Sequence, residues 1–319
     1  MKTTWTSLLA AVLCTLVSAT AQAEDNARES IKKATTFLDQ HGEKLVEGKG
    51  CVNCHHGPLR SWAFREASAA GVEVDLTALK ERTDSHKAKL VKSKGGTKGN
   101  QWPHSLSAFY VMSEGLDAKF TPTDEELDHF ARIIVSGQQD EGWFKAAGQF
   151  SKQRRPKQDS HQAQTMWAVL ALSRLESRGG AAAARDKAMA WLAKQKPGAT
   201  IDYRVLRLLV EDSLGTAENT KSRLSELLKT QHDDGGFSWQ PDDESDAWAT
   251  GLALYALSEL GDAAPADTSA KAAAFLLKTQ KEDGSWLVSG KLKVKPDMAS
   301  YFGTTWAIIG LSRQLDETK

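Results

Sequence analysis

Lys229-Thr230-Gln231-His232-Asp233-Asp234-Gly235-Gly236-Phe237-Ser238-Trp239 recurs as Lys278-Thr279-Gln280-Lys281-Glu282-Asp283-Gly284-Ser285-Trp286, and more loosely as Gln138-Gln139-Asp140-Glu141-Gly142-Trp143. Each stretch reads as the end of one helix followed by a glycine-rich turn. After each turn comes a more apolar segment with a comparable opening. These begin at Ser160-His161-Gln162-Ala163-Gln164-Thr165, Ser245-Asp246-Ala247-Trp248-Ala249-Thr250 and Ser300-Tyr301-Phe302-Gly303-Thr304-Thr305.

Working outward, weaker copies open at His55, His104 and Asp202, which gives six openings along the chain. The sequence is rich in alanine and leucine, and its 8 prolines leave room for long helical runs. Six helix hairpins are therefore expected, each with an amphipathic outer helix and an inner helix apolar nearly all round. In this reading the glutamine caps a neighbouring helix and the tryptophan packs on it.

The phrase Gln280-x-x-x-Gly284-x-Trp286 resembles the QW repeat of squalene-hopene and oxidosqualene cyclases, and protein prenyltransferase subunits have a similar toroid. The resemblance is good over residues 125–315 and rests on spacing before that. It implies an all-α fold, a single closed (α/α)6 toroid or barrel of about six hairpin repeats. The N-termini of its inner helices would form one mouth. The domain map expected is a signal peptide over 1–23 and a toroid over 24–319, divergent in 24–124 and clearer in 125–319.

Met1-Lys2 precedes an apolar run from Ser7 to Ala19 and then Ala21-Gln22-Ala23, the small-x-small form that signal peptidase reads. Export to the periplasm, with a soluble mature protein starting at Glu24, is the expectation. Cys14 lies inside the apolar run and lacks lipoprotein context. The whole chain has 41 basic and 41 acidic residues, a balance that argues against nucleic acid or anionic lipid as partner.

Beyond the signal only Cys51 and Cys54 remain, in Cys51-Val52-Asn53-Cys54-His55. Two thiols at this spacing suit the two vinyl groups of one porphyrin edge, and the following histidine suits iron, so covalent haem c is expected. A Cys51-Cys54 disulfide is the competing reading, and zinc lacks further cysteine ligands.

With His55 on the iron, a second ligand is sought at the opening of an adjacent inner helix, because two bonds of ~2 Å set the ligand backbones about one helix spacing apart. His104 is the first candidate, with His161 and Met298 behind it. The bland alternatives are a helix-start residue after Pro103 and a polar group in a solvated mouth.

The function expected on these grounds is a periplasmic haem c protein in electron transfer or redox or haem-ligand sensing, with a redox partner protein or a small haem ligand. The alternatives are a terpenoid- or isoprenoid-binding or cyclase-related toroid, and an interaction module with a disulfide. The resemblance places the cyclase acid in an Asp-x-Asp-Asp order, from which Asp242-Asp243-Glu244-Ser245-Asp246 departs, so these residues read as helix-start carboxylates. The lysine-rich stretch from Lys80 to Asn100, with Lys87, Lys89, Lys92 and Lys94, reads as a loop that would steer an acidic partner.

Overall fold

A computed structural model describes residues 21–41, 56–92, 102–113, 118–146, 156–288 and 296–316, and at 56, 102–103, 118, 296–299 and 316 the backbone only. Twelve helices run through these segments. They are α1 (21–41), α2 (His56–Ala69), α3 (Leu76–Lys92), α4 (Trp102–Met112), α5 (Asp124–Ser136), α6 (Lys157–Arg174), α7 (Ala181–Leu192), α8 (Ile201–Leu214), α9 (Ala217–Leu228), α10 (Ala247–Glu259), α11 (Ala266–Thr279) and α12 (Pro296–Asp316). No strand forms among the described residues.

The even-numbered helices pack in sequence order around a ring, and α12 returns to α2 to close it. The odd-numbered helices lie outside. This is the (α/α)6 toroid, with the inner helices entering where the repeat predicted. The interior is a filled core. Trp62, Trp167, Trp306 and Tyr255 come from four inner helices and meet edge to face, tilted or stacked at 5.2–6.3 Å between ring centroids. None is more than 7% exposed. Such large apolar surfaces, once removed from water, hold the ring together from inside.

The repeated phrase works outside the core. Gln138, Gln231 and Gln280 each donate twice, to the glycine carbonyl of their own turn and to a carbonyl of the next outer helix. The second acceptors are Ala184, Thr268 and Ser30, at 2.7, 3.0 and 2.8 Å. The turn lies so close to that helix that a Cβ at Gly235 would stand 2.6 Å from the Lys271 carbonyl, and Gly235 also has φ of +86°. Only glycine combines that dihedral with that contact.

After the turn, the backbone N–H groups of Phe144, Phe237 and Trp286 donate to Thr165, Thr250 and Thr304 on the inner helix. Phe144 and Phe237 are thus the partners of Trp286, although the sequence aligned Trp143 and Trp239 with it. Likewise Thr304 takes the place that its neighbour Thr305 held in the sequence alignment.

One expectation is corrected here. The first half of the lysine-rich stretch is helix α3, because Leu79, Thr83, His86, Lys87 and Leu90 form its buried face at helical spacing. Lys87 is 5% exposed and paired with Glu126 at 3.0 Å, so it cannot steer a partner. Residues 93–101, including Lys94, lie outside the described residues.

Candidate functional site

Because all inner helices enter from the same end, the first residues of α4, α6, α8, α10 and α12 gather at one mouth. His104 comes from α4, Asp159 and His161 from α6, Asp202 and Tyr203 from α8, Asp246 and Trp248 from α10, and Tyr301 and Phe302 from α12. Backbone N–H groups at helix starts lack intrahelical partners and favour negative charge, which accounts for the carboxylates.

Each carboxylate is held differently. Asp159 accepts from the backbone N–H of Ala199 and Thr200, at 2.9 and 3.2 Å, and so fastens the start of α8 to α6. Asp202 accepts the indole N–H of Trp239 at 2.9 Å. Asp246 is the N-cap of α10, and one of its oxygens accepts from Ala249 at 2.9 Å. Its other oxygen, Oδ2, is buried and has no hydrogen-bond partner.

Burial pushes the Asp246 carboxyl up to about 7; the backbone N–H groups of Ala249 and Trp248 oppose this, while the charges of Asp202 and Asp243 reinforce it. In the stretch from Asp242 to Asp246 it is the one fully buried acid, at 1% exposure. Aromatic rings stand beside it. Trp239 stacks on Trp248 at 5.8 Å and 13°, and Trp248 meets Phe302 at 5.4 Å.

Of the haem candidates, Cys51, Cys54 and His55 lie outside the described residues. Met298 lies in α12, and its side chain is likewise outside them. His104 is fully buried beside Phe144, with ring centroids 5.7 Å apart, and its imidazole fills the space that a side chain at Gly137 would need. Neither ring nitrogen makes a well-aligned hydrogen bond. Burial lowers its pKa to about 4, the Lys145 backbone acting the other way.

His161 is half-buried on the rim. Its Nδ1 accepts the backbone N–H of Ala146 at 3.0 Å and its ring packs on Trp143 at 4.6 Å. Burial, Lys145 and Lys157 lower its pKa.

A feature that the sequence did not reveal is the Asp202–Trp239 bond. The only available signal was an aspartate at a weak repeat opening. The His86–Tyr110 hydrogen bond, at 2.8 Å between α3 and α4, was also missed, since His86 stood in what read as a loop.

A closed ring of paired helices with its polar residues gathered at the inner-helix mouth defines an α/α toroid protein. Residues 101–203 and 202–302 each match the prenyltransferase alpha-alpha toroid domain, and the chain belongs to that family. No curated protein is similar to it in sequence. Two of the solved structures that share the fold illustrate the likeness.

One, from Salmonella enterica subsp. enterica serovar Paratyphi A, is described as a possible member of the GH105 family. It is 15% identical, covers 93% of this chain and 95% of its own, and has a TM-score of 0.61. The other, from Klebsiella pneumoniae subsp. pneumoniae, has the same description. It is 11% identical, with 92% and 94% coverage and a TM-score of 0.57.

These findings correct the functional expectation. Electron transfer or sensing on a haem c is not what the fold and its neighbours support, since the whole-chain likeness is to toroids described as GH105-like. Among the described residues, no three His, Cys, Asp or Glu side chains gather as metal ligands. Of the second-ligand candidates, His104 is sealed in apolar packing, and His161 accepts a backbone N–H at Nδ1, which puts the proton of its neutral ring on Nε2. Also among the described residues, no helix is long and apolar enough to cross a membrane.

Proposed function

We propose that the mouth of the toroid is a proton-donating site, acting on an uncharged organic substrate through Asp246. The observation that carries this reading is a buried carboxyl with one oxygen fixed by Ala249 and the other, Oδ2, without a partner. A carboxyl pushed up to about 7 keeps its proton near neutral pH, as a general acid must. On donation the proton leaves Oδ2 for the substrate. The carboxylate left behind is stabilised by the Ala249 N–H and the positive end of α10. The protonated substrate then adds a water molecule, and the proton that this water releases returns to the Asp246 carboxylate.

The indole faces of Trp239 and Trp248 suit the positive charge that protonation creates on a substrate. Because Asp246 is 1% exposed, its use requires a local movement of the mouth.

The GH105-like description belongs to the neighbours, with which this chain shares only the fold; it makes neutral glycosides one substrate class to try, and polyprenyl alkenes follow from the family. Purified protein incubated with both panels should convert members of one class. Asp246→Asn, which keeps the N-cap, should abolish conversion. Turnover that persists in Asp246→Asn would overturn the reading.

Two proposals rest on sequence alone. They are covalent haem c at Cys51 and Cys54 with His55 on the iron, and export with removal of residues 1–23. Intact mass of protein secreted by a host with haem c maturation tests both. The expected mass lacks the first 23 residues and includes one haem.

A further inference from the structure

Trp239 is fastened at both ends to the start of α8. Its backbone carbonyl accepts from Ile201 N–H at 3.0 Å, and its indole N–H donates to Asp202 Oδ2 at 2.9 Å. Asp202 is 5% exposed, so this bond is made out of water. The indole held in this way lies flat on Trp248, which stands two residues beyond Asp246 in the first turn of α10. Helices α8 and α10 are neighbours in the ring. The two carboxyl groups therefore stand on adjacent helix starts with a pinned tryptophan pair beside them.

Their surroundings differ in the way that separates an acid from its partner. Asp202 Oδ2 receives the Trp239 indole N–H. Asp246 Oδ2 receives none, and burial there favours the proton. The charged groups acting on Asp246 are Asp202 from α8 and Asp243 from its own loop, both of the same sign. From α12 the side that meets this turn is the Phe302 ring, against Trp248.

We propose that Asp202 is the positioning residue of the acid site: its carboxylate anchors Trp239 against Trp248 and stands as a second negative charge on the helix start next to that of Asp246. The inference rests on the reading of Asp246 as the proton donor. Asp202 itself does not touch the substrate. Its two roles are separable, because an amide at position 202 still accepts the indole N–H but carries no charge.

Carboxyl NMR of protein labelled at aspartate side chains tests this without substrate. The resonance that titrates at the highest pH should vanish in Asp246→Asn, which assigns it. In Asp202→Asn its midpoint should fall by on the order of one pH unit, the effect of losing one nearby like charge. Asp202→Glu should restore it. Trp239→Phe removes the hydrogen bond but keeps the charge, so its midpoint should stay above the usual carboxylate range.

An unmoved midpoint in Asp202→Asn, or an equal fall in Trp239→Phe, overturns the proposal. If Asp202→Asn does not fold, Asp202→Ser supplies the same loss of charge and is read the same way. Because no turnover is involved, this titration can fail while the loss of conversion in Asp246→Asn stands, and the reverse holds as well.

Discussion

Gln280 Nε2 donates to the Ser30 carbonyl at 2.8 Å, a bond between residues 250 positions apart that joins the last turn of the ring to its first helix. The same amide group holds the Gly284 carbonyl at 3.0 Å. The phrase that ties each repeat to the next therefore also closes the circle. At this seam the outer layer closes over the contact of α12 with α2.

Gly284 has φ of +83°, and a Cβ there would press on the Lys33 backbone carbonyl of α1. Gly261 has φ of +52° with nothing within 4 Å of its Cβ position, so it isolates the dihedral cost. Gly261→Ala should cost about 1–2 kcal/mol, the penalty of left-handed backbone. Gly284→Ala should cost clearly more, and Gln280→Ala about 1–3 kcal/mol for its two carbonyls. Urea midpoints compare the three variants, and equal losses in the two glycine variants would show that the seam is not closely packed.

This seam was half legible in the sequence. Gln280, Gly284 and Trp286 announced a toroid because their spacing is the geometry of the turn itself. The partner on α1 was not legible, since Ser30 and Lys33 contribute only backbone carbonyls, which any residue supplies. Asp246 was read correctly as a helix-start carboxylate. That its second oxygen is buried without a partner depends on burial, which no local pattern records. His104 was placed correctly at the start of α4, yet its fitness as a ligand depended on Gly137 and Phe144 in the turn after α5, which close over it.

Stability should depend on pH in two opposed ways. Asp246 binds its proton up to about 7 in the folded protein but only up to the ordinary carboxyl value of 3.8 when unfolded. Its contribution is therefore fully present below the unfolded value and is lost as pH rises through the folded one. His104 runs the other way, with a folded value of about 4 against 6.5 unfolded, so folding loses stability as pH falls through that interval. Each amounts to roughly 3–4 kcal/mol at most.

Asp246→Asn should therefore gain on the unmutated protein at pH 8 and lose that advantage towards pH 5. His104→Leu should flatten the decline on the acid side. Melting temperatures across pH 4–8 read both slopes, and parallel curves for all three proteins would contradict the assignments.

At the opposite end of the ring from the mouth, Arg313 on α12 reaches Glu66 on α2 with an N–O distance of 2.8 Å, and it also pairs with Glu259. Glu66 is 4% exposed and also accepts the Trp62 indole N–H at 2.8 Å, while Arg313 lies over the Tyr255 ring. Burial pushes the Glu66 carboxyl up, and Arg313 counters it. Arg313→Met should cost about 3–5 kcal/mol because it leaves a buried charge alone. Adding Glu66→Gln, which keeps an acceptor for Trp62, should recover part of that loss. Denaturant unfolding of the single and double variants measures the coupling, and a double variant weaker than Arg313→Met would argue against it.

The last expectation concerns the centre of the ring, where a toroid can hold either a ligand or a core. Trp306 is 2% exposed and touches Trp62, Trp167 and Tyr255, so four rings close the middle without a described opening among them. If this is a core, Trp306→Ala removes a large packed side chain and should cost about 3–5 kcal/mol. The cavity left is lined by aromatic carbon and should stay dry, so benzene or a similar small apolar probe should bind and raise the melting temperature of the variant. The unmutated protein should show no such rise. Carboxyl titration of Asp246 should be nearly the same in both, because it is set by burial at the start of α10, by the Ala249 and Trp248 backbone and by Asp202 and Asp243, all at the mouth. A loss below about 1 kcal/mol in Trp306→Ala would mean that the tryptophans line a cavity instead of filling one. The proton donor at the mouth would then face a chamber able to enclose an apolar substrate.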